Sequence, residues 1–200
     1  MTTTADNTAR APEPVRMLAG PGPGLGIRPR RQRDTGAMIV AVDSPQLIAG
    51  VAIEAGQLWP DDRGCFTELF RLGASGNLLA GFGAGLQVSA AVSYPRTIKA
   101  VHYHRLQTDV WAPLRGEFQV ALFDLRLDSP TFGAVNTLFV GEWRPWRLRI
   151  PPGVGHGYKV LGRGEAVMVY ATDRHYDPGD EGRIAYDDAG LNYAWETQHK

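Results

Sequence analysis

The chain has 200 residues, enough for one domain with a real core, and its 44 % apolar and 21 % charged residues make an ordinary globular composition. Lys+Arg and Asp+Glu both total 21, so the formal charge is zero. That balance argues against a nucleic-acid partner, because phosphate neutralisation dominates such binding. No run approaches the ~18 apolar residues of a membrane span, and no N-terminal stretch has a secretory apolar core. The only cysteine, Cys65, excludes an intramolecular disulfide framework. A cytoplasmic protein with no membrane partner is expected.

Residues 1–37 differ from the rest. They are Thr/Ala-rich, then alternate Pro and Gly over Gly20–Gly24, then carry a basic run from Arg28 to Arg33. Apolar periodicity is absent, so this stretch is expected to be a disordered extension, with the domain proper over 38–200. A basic arm that touches a partner is the functional alternative.

From Ile39 onward short apolar or alternating runs predict strands over Ile39–Val42, Leu86–Val92, Thr97–Tyr103, Phe118–Leu125, Asn136–Val140, Arg147–Ile150 and Ala166–Ala171. Turn signals separate them, among them Asp62-Arg63-Gly64, Arg115-Gly116, Pro152-Gly153, Gly162-Arg163-Gly164 and Asp177-Pro178-Gly179. Many short, closely spaced strands predict an all-β sandwich or small barrel. Leu69–Leu79 could hold a turn or two of helix, with Gly73 and Gly76 counting against more.

The chemistry concentrates in Ala100-Val101-His102-Tyr103-His104, followed by Asp109 and Gly116. Residues i and i+2 of a strand share a face, so His102 and His104 project together. A third imidazole, His156, follows the tight Pro151-Pro152-Gly153 turn. His-x-His, an acid and Gly, then Pro-x-Gly-x-x-His, resembles the two metal-binding motifs of the cupin superfamily, a jelly-roll or double-stranded β-helix fold. His102, His104, Asp109 and His156 are then candidate ligands for a divalent transition metal, Fe, Mn, Ni, Cu or Zn. Imidazoles that line a metal-free pocket as acids, bases or donors are the alternative.

A tighter resemblance runs from Ile39 to Trp195. Asp61-Asp62-Arg63-Gly64-Cys65-Phe66-Thr67-Glu68 is similar to the D-x-RG-x-F-x-E opening of dTDP-4-dehydrorhamnose 3,5-epimerases. Asp124-Leu125-Arg126 with Ser129-Pro130-Thr131-Phe132-Gly133 resembles that family's DLR-x-x-SPTFG. Gly155-His156-Gly157-Tyr158 resembles its AHGF, Tyr176-Asp177-Pro178 with Glu181 its Y-x-P-x-x-E, and Leu191–Trp195 its L-x-x-x-W. The resemblance implies a homodimeric cupin barrel that needs no metal and no organic cofactor. In it a histidine removes protons beside a 4-keto group and a tyrosine returns them from the opposite face. These roles fall on His102 and Tyr170. Substrate contacts fall on Arg63, contributed across the dimer, on Phe66, Glu68 and Gln87, and on Lys99.

The pattern is also altered. The family's RGLHYQ is Lys99-Ala100-Val101-His102-Tyr103-His104, so Lys99 replaces its arginine and His104 its glutamine. Asp109 stands for its pocket lysine, and Gln119 for an aspartate that supports the histidine. A second supporting aspartate, beyond the closing tryptophan, is expected to be missing. One change adds an imidazole and another exchanges a metal-repelling cation for a carboxylate. The expectation is an epimerase-like scaffold converted to metal-dependent chemistry next to a carbonyl, with a nucleotide-linked keto-sugar or related metabolite as substrate. A metal-dependent oxygenase or cyclase and a catalytically weak sugar-binding module are the alternatives.

Other residues have plainer expected roles. Glu68 is a pocket residue, a fifth metal ligand or part of a strand. Tyr103, Trp111, Trp143, Trp146 and Trp195 are core or rim aromatics. Asp124 and Arg126 form a structural pair, Asp187-Asp188 a solvated turn, and His175 and His199 lie on the surface.

Overall fold

The computed structural model describes residues 13–20, 24–72 and 77–196. Among them lie fifteen strands and no helix. In chain order they are β1 (Arg16–Leu18), β2 (Leu25–Ile27), β3 (Ala37–Met38), β4 (Ala52–Ala55), β5 (Leu58–Asp61), β6 (Gly64–Thr67), β7 (Gln87–Ser93) and β8 (Ile98–His104), then β9 (Asp109–Arg115), β10 (Glu117–Asp124), β11 (Val135–Gly141), β12 (Trp146–Ile150), β13 (Val154–Leu161), β14 (Ala166–Thr172) and β15 (Glu181–Arg183). The helical turn considered over Leu69–Leu79 is absent from the described part of that stretch, and Gly73 and Gly76 lie outside the described residues.

Two sheets face each other in the double-stranded β-helix of the cupins. One has the order β15-β8-β13-β10-β11-β3, the other β4-β12-β9-β14-β7. Strand period explains the layers. On β10, Phe118, Val120 and Leu122 point between the sheets, into a core with Leu138, Leu148, Ile150, Val154 and Val160. Ala121 and Phe123 point outward into a second cluster. Because apolar residues occupy both faces, β10 reads as an apolar run broken only at Gln119 between Phe118 and Phe123.

The second cluster corrects the expectation for the N-terminus. Leu25 and Ile27 are 1 % exposed and pack on Val101, Phe123, Ile184, Leu191, Tyr193 and Trp195. Backbone bonds continue the attachment, from Gly26 N to Leu125 O (2.8 Å) and from Arg30 N to Gly190 O (3.0 Å). Fully burying a Leu or Ile yields about 1.5–3 kcal/mol, enough to offset the ~1–2 kcal/mol cost of ordering a residue. Average composition conceals this Leu-x-Ile alternation. The basic run is spent internally: Arg28 lies over the Phe132 ring, Arg30 pairs with Asp34, and Arg33 with Glu196. Residues 1–12, 21–23 and His199 lie outside the described residues.

The strand expected over Ile39–Val42 is the short β3 instead, which ends at Met38. Ile39 still anchors the segment, fully buried with its N–H on Thr137 O (2.9 Å). The DLR-x-x-SPT stretch closes on Asp124. Its buried carboxylate accepts from Arg126 Nε (2.8 Å), Ser129 Oγ (2.5 Å) and Thr131 Oγ1 (2.5 Å), as the expected structural pair requires. Asp188 is more than a solvated turn, since it accepts from Arg16 (2.6 Å) and from the amides of Gly190 and Leu191. Trp195 is core, whereas Trp143 is 89 % exposed.

Candidate active site

At one end of the barrel the space between the sheets opens into a cavity of about 300 Å³. Its lining includes Lys99, His102 and His104 from β8, Asp109 and Trp111 from β9, His156 and Tyr158 from β13, and Gln87, Met168, Tyr170, Tyr176 and Glu181. The expected i, i+2 projection of His102 and His104 therefore holds. Seven of the residues predicted from sequence meet here: His102, His104, Asp109, His156, Tyr170, Gln87 and Lys99.

Local chain geometry brings the imidazoles together. His102 and His156 are register partners across β8 and β13. Gly153, at φ +75°, makes the turn that side chains avoid, and its N–H donates to His104 O at 2.6 Å. His104 and His156 consequently stack, with ring centroids 5.5 Å apart.

Two acidic groups divide the three histidines. Asp109, the first residue of β9 after the short loop from β8, lies with Oδ2 3.6 Å from His156 Nε2 and Oδ1 4.0 Å from His104 Nε2. Gln107 Nε2 (2.7 Å) and Trp111 Nε1 (3.2 Å) donate to the same carboxylate and fix its plane. His156 Nδ1 is 3.0 Å from Val154 O, which places the proton on Nδ1 and leaves Nε2 an acceptor turned toward Asp109. Burial holds His156 well below the ordinary histidine range, against the pull of Asp109, so its ring is neutral. Two imidazoles and a carboxylate are a metal-ligand set, and donor atoms of His104, Asp109 and His156 all lie within 4.8 Å of one another.

His102 is not part of that cluster, which corrects its assignment as a ligand. Pairing of β15 with β8 sets Arg183 opposite His102 and Glu181 opposite His104, and His102 Nδ1 lies 3.7 Å from Glu181 Oε1. An acidic neighbour therefore stands beside His102 at a position other than the two supporting aspartates expected to be lost. Glu181 belongs to the Y-x-P-x-x-E motif, but only the β15–β8 pairing reveals which residue it serves. Burial lowers the His102 pKa, Glu181 pulls it up, and Arg183 and His104 oppose Glu181. Gln119, aligned with a supporting aspartate, faces the other layer and donates to Tyr193 Oη (2.9 Å) and Ala194 O (3.3 Å). Strand alternation puts it there, since its neighbours Phe118 and Val120 occupy the inter-sheet face.

Three predicted substrate residues do not line the cavity. Arg63 and Phe66 sit on the β5–β6 hairpin, a separate two-stranded sheet, where Arg63 pairs with Asp61 (2.5 Å) and Phe66 is 68 % exposed beside Trp59. Glu68 pairs with Arg71 (2.7 Å) and lines a different cavity with Arg147, so it offers no fifth ligand. Conversely, Trp111 is more than a core aromatic. Besides holding Asp109, it sets its ring edge-on to His156 and Tyr158. Its i+2 spacing from Asp109 was the available signal. Tyr158, whose hydroxyl lies 3.0 Å from Ser93 Oγ, and Tyr176 were not anticipated as lining residues.

The cavity in this cupin barrel has His102 on one wall and Tyr170 on the other. The family model for dTDP-4-dehydrorhamnose 3,5-epimerase matches residues 45–200, and the chain belongs to that family. It is 43 % identical over 156 residues to the spore coat polysaccharide biosynthesis protein SpsL of Bacillus subtilis, covering 77 % of this chain and all of that one. To a dTDP-4-dehydrorhamnose 3,5-epimerase of Streptomyces griseus it is 30 % identical, over 76 % of each chain. The solved structure of a dTDP sugar isomerase from Desulfovibrio desulfuricans superposes with a TM-score of 0.68 at 27 % identity, covering 74 % of this chain and 92 % of that one. A 3'-monoepimerase from Streptomyces bikiniensis, solved with dTDP-quinovose, gives 0.65 at 27 % identity, covering 74 % and 76 %. Among the described residues no helix is long and apolar enough to cross a membrane.

Proposed function

We propose that this enzyme epimerises a dTDP-linked 4-keto-6-deoxyhexose at a carbon beside the carbonyl. The observation that carries this reading is the placement of His102 and Tyr170. His102 stands on β8 of one sheet and Tyr170 on β14 of the other, so base and acid face each other across the cavity. A carbon next to a ketone is acidic enough for a positioned imidazole. With Nδ1 directed at Glu181, Nε2 of His102 takes the proton, and the C–H electron pair moves into an enolate with its charge on the keto oxygen. Tyr170 donates its hydroxyl proton to the opposite face of the same carbon, which inverts it. Glu181 stabilises the imidazolium formed on the way.

The keto oxygen then needs a partner for its charge. Asp109 stands where the resemblance puts a pocket lysine, so a carboxylate rather than a cation takes that place, and we propose that the His104–Asp109–His156 cluster holds a divalent transition metal there. The single-tautomer His156 and the doubly anchored Asp109 are the fixed ligand geometry that such a site requires. When bound, the metal would act as a Lewis acid on the carbonyl. Two histidines and a carboxylate are also a ligand set of non-haem iron oxygenases, but the family match favours proton transfer over oxygenation, cyclisation or mere sugar binding.

A homodimer completes the site. The β5–β6 hairpin stands apart from both sheets with Trp59, Arg63 and Phe66 exposed, as a segment that reaches a partner's cavity would. Arg63 then binds the diphosphate of the partner's substrate, alongside Lys99 and Gln87 of the cavity's own chain. Incubation with dTDP-4-keto-6-deoxyglucose in D₂O, followed by proton NMR, tests the reading. Loss of a ring proton signal beside the carbonyl is expected, and the absence of any exchange would remove it.

A further inference from the structure

The residues before 45 lie outside the family match, and those of β1 and β2 among them add a layer on the outer face of the six-stranded sheet. One side chain ties that layer to the active site. Arg105 follows His104 directly and is buried, with its Nη2 donating to Leu18 O (3.3 Å) and Ala19 O (2.7 Å) at the end of β1. Gly20 closes over the same guanidinium. A Cβ there would stand 2.7–2.9 Å from it, at φ +137° where side chains seldom go. Burying a guanidinium without acceptors is costly, so the two carbonyls hold Arg105 firmly.

The backbone at Arg105 is fixed from the other side. Asp180 Oδ1 accepts from Arg105 N (3.0 Å) and Leu106 N (2.9 Å), and Oδ2 from Gln107 N (2.9 Å). Three amides on one buried carboxylate lock the turn between β8 and β9. That turn sets His104 on one side and Asp109 on the other, with the Gln107 side chain bonding Asp109. The residue after Asp180 is Glu181, the partner of His102. Neither Arg105 nor Asp180 lines the cavity, yet both are joined to the groups that do.

We propose that the N-terminal β1–β2 hairpin is a positioning element of the active site, acting through Arg105 and Asp180 on His104, Asp109 and Glu181. The effect on turnover rests on the proposed reaction; the mechanical coupling does not.

The test compares the full-length protein with Arg105→Ala, Arg105→Lys and Gly20→Ala by amide hydrogen exchange and by steady-state kinetics. Exchange in Arg105→Ala is expected to rise about 10-fold or more at residues 104–109 and 178–183 while the β10–β11 pair is unchanged. With the keto-sugar, kcat should fall by about 10–100-fold, the range for lost support of a site group, while KM changes by less than ~3-fold. Arg105→Lys, which retains a donor for Ala19 O, should recover most of the loss. Gly20→Ala, which displaces the guanidinium but leaves Arg105 in place, reproduces the pattern if Arg105→Ala fails to fold. Unchanged exchange in both segments, or exchange raised evenly through the chain with kcat intact, overturns the proposal. A wild type without turnover would remove the proposed reaction instead, and the exchange data would still decide the coupling.

Discussion

His102 Nδ1 and Glu181 Oε1 lie 3.7 Å apart on paired strands, so the imidazole carries its acidic partner on the neighbouring strand. Glu181→Gln keeps the shape and removes the charge that, in the proposed reaction, stabilises the imidazolium. We expect kcat to fall about 10–100-fold with little change in KM, and His102→Asn to cost ~10²–10⁴-fold, the range for a general base. Steady-state kinetics check both. An equal loss in KM would show that Glu181 binds substrate rather than supporting the base.

In the proposed reaction Tyr170 acts after the proton is removed. Tyr170→Phe is therefore expected to leave solvent exchange at the substrate carbon measurable while epimerised product falls by about 10²-fold. Proton NMR in D₂O follows both. Loss of exchange and product together would place Tyr170 in the first step.

Metal analysis of protein purified without chelator should find one transition ion per chain. His156→Ala should lower its affinity by at least the ~10–100-fold that even supporting residues command. Full activity in demonstrably metal-free protein would leave the cluster as hydrogen-bonding groups only.

The proposed dimer has a complementation signature. Arg63→Ala should raise KM about 10-fold without changing stability, since the side chain is 82 % exposed. Mixed dimers of Arg63→Ala and His102→Asn should regain wild-type KM at one site of the two, because each chain supplies what the other lacks. No recovery on mixing would mean that Arg63 serves its own chain.

Acid stability should depend on Asp124. Burial alone would raise its pKa, but the hydrogen bonds from Arg126, Ser129 and Thr131 outweigh it and hold the carboxyl below the usual range. A depressed folded-state pKa gives stability that is fully present above the unfolded value near 4 and lost as pH falls through the folded one. Asp124→Asn should lower stability at neutral pH by about 3 kcal/mol, as when a buried pair loses one member, and flatten its pH dependence below 4. Urea melts from pH 2.5 to 7 measure this, and parallel curves would refute it.

The sequence by itself determined the barrel and half of the site. Short apolar or alternating runs marked the central strands, and i, i+2 spacing put His102 and His104 on one face. The Pro-Pro-Gly turn ahead of His156 marked the third imidazole. Those are local signals, set by backbone geometry within a few residues. What the tertiary structure decided is which charge stands beside which ring. His102 faces Glu181, 79 positions away in the chain, rather than Gln119, because strand pairing fixes neighbours and strand parity turned Gln119 outward. Asp109 went to His104 and His156, and so separated the candidate metal ligands from the candidate base. The N-terminal residues likewise look featureless alone. Leu25 and Ile27 gain their meaning only from the apolar sheet face they cover, and Leu18 and Ala19 from the guanidinium they accept.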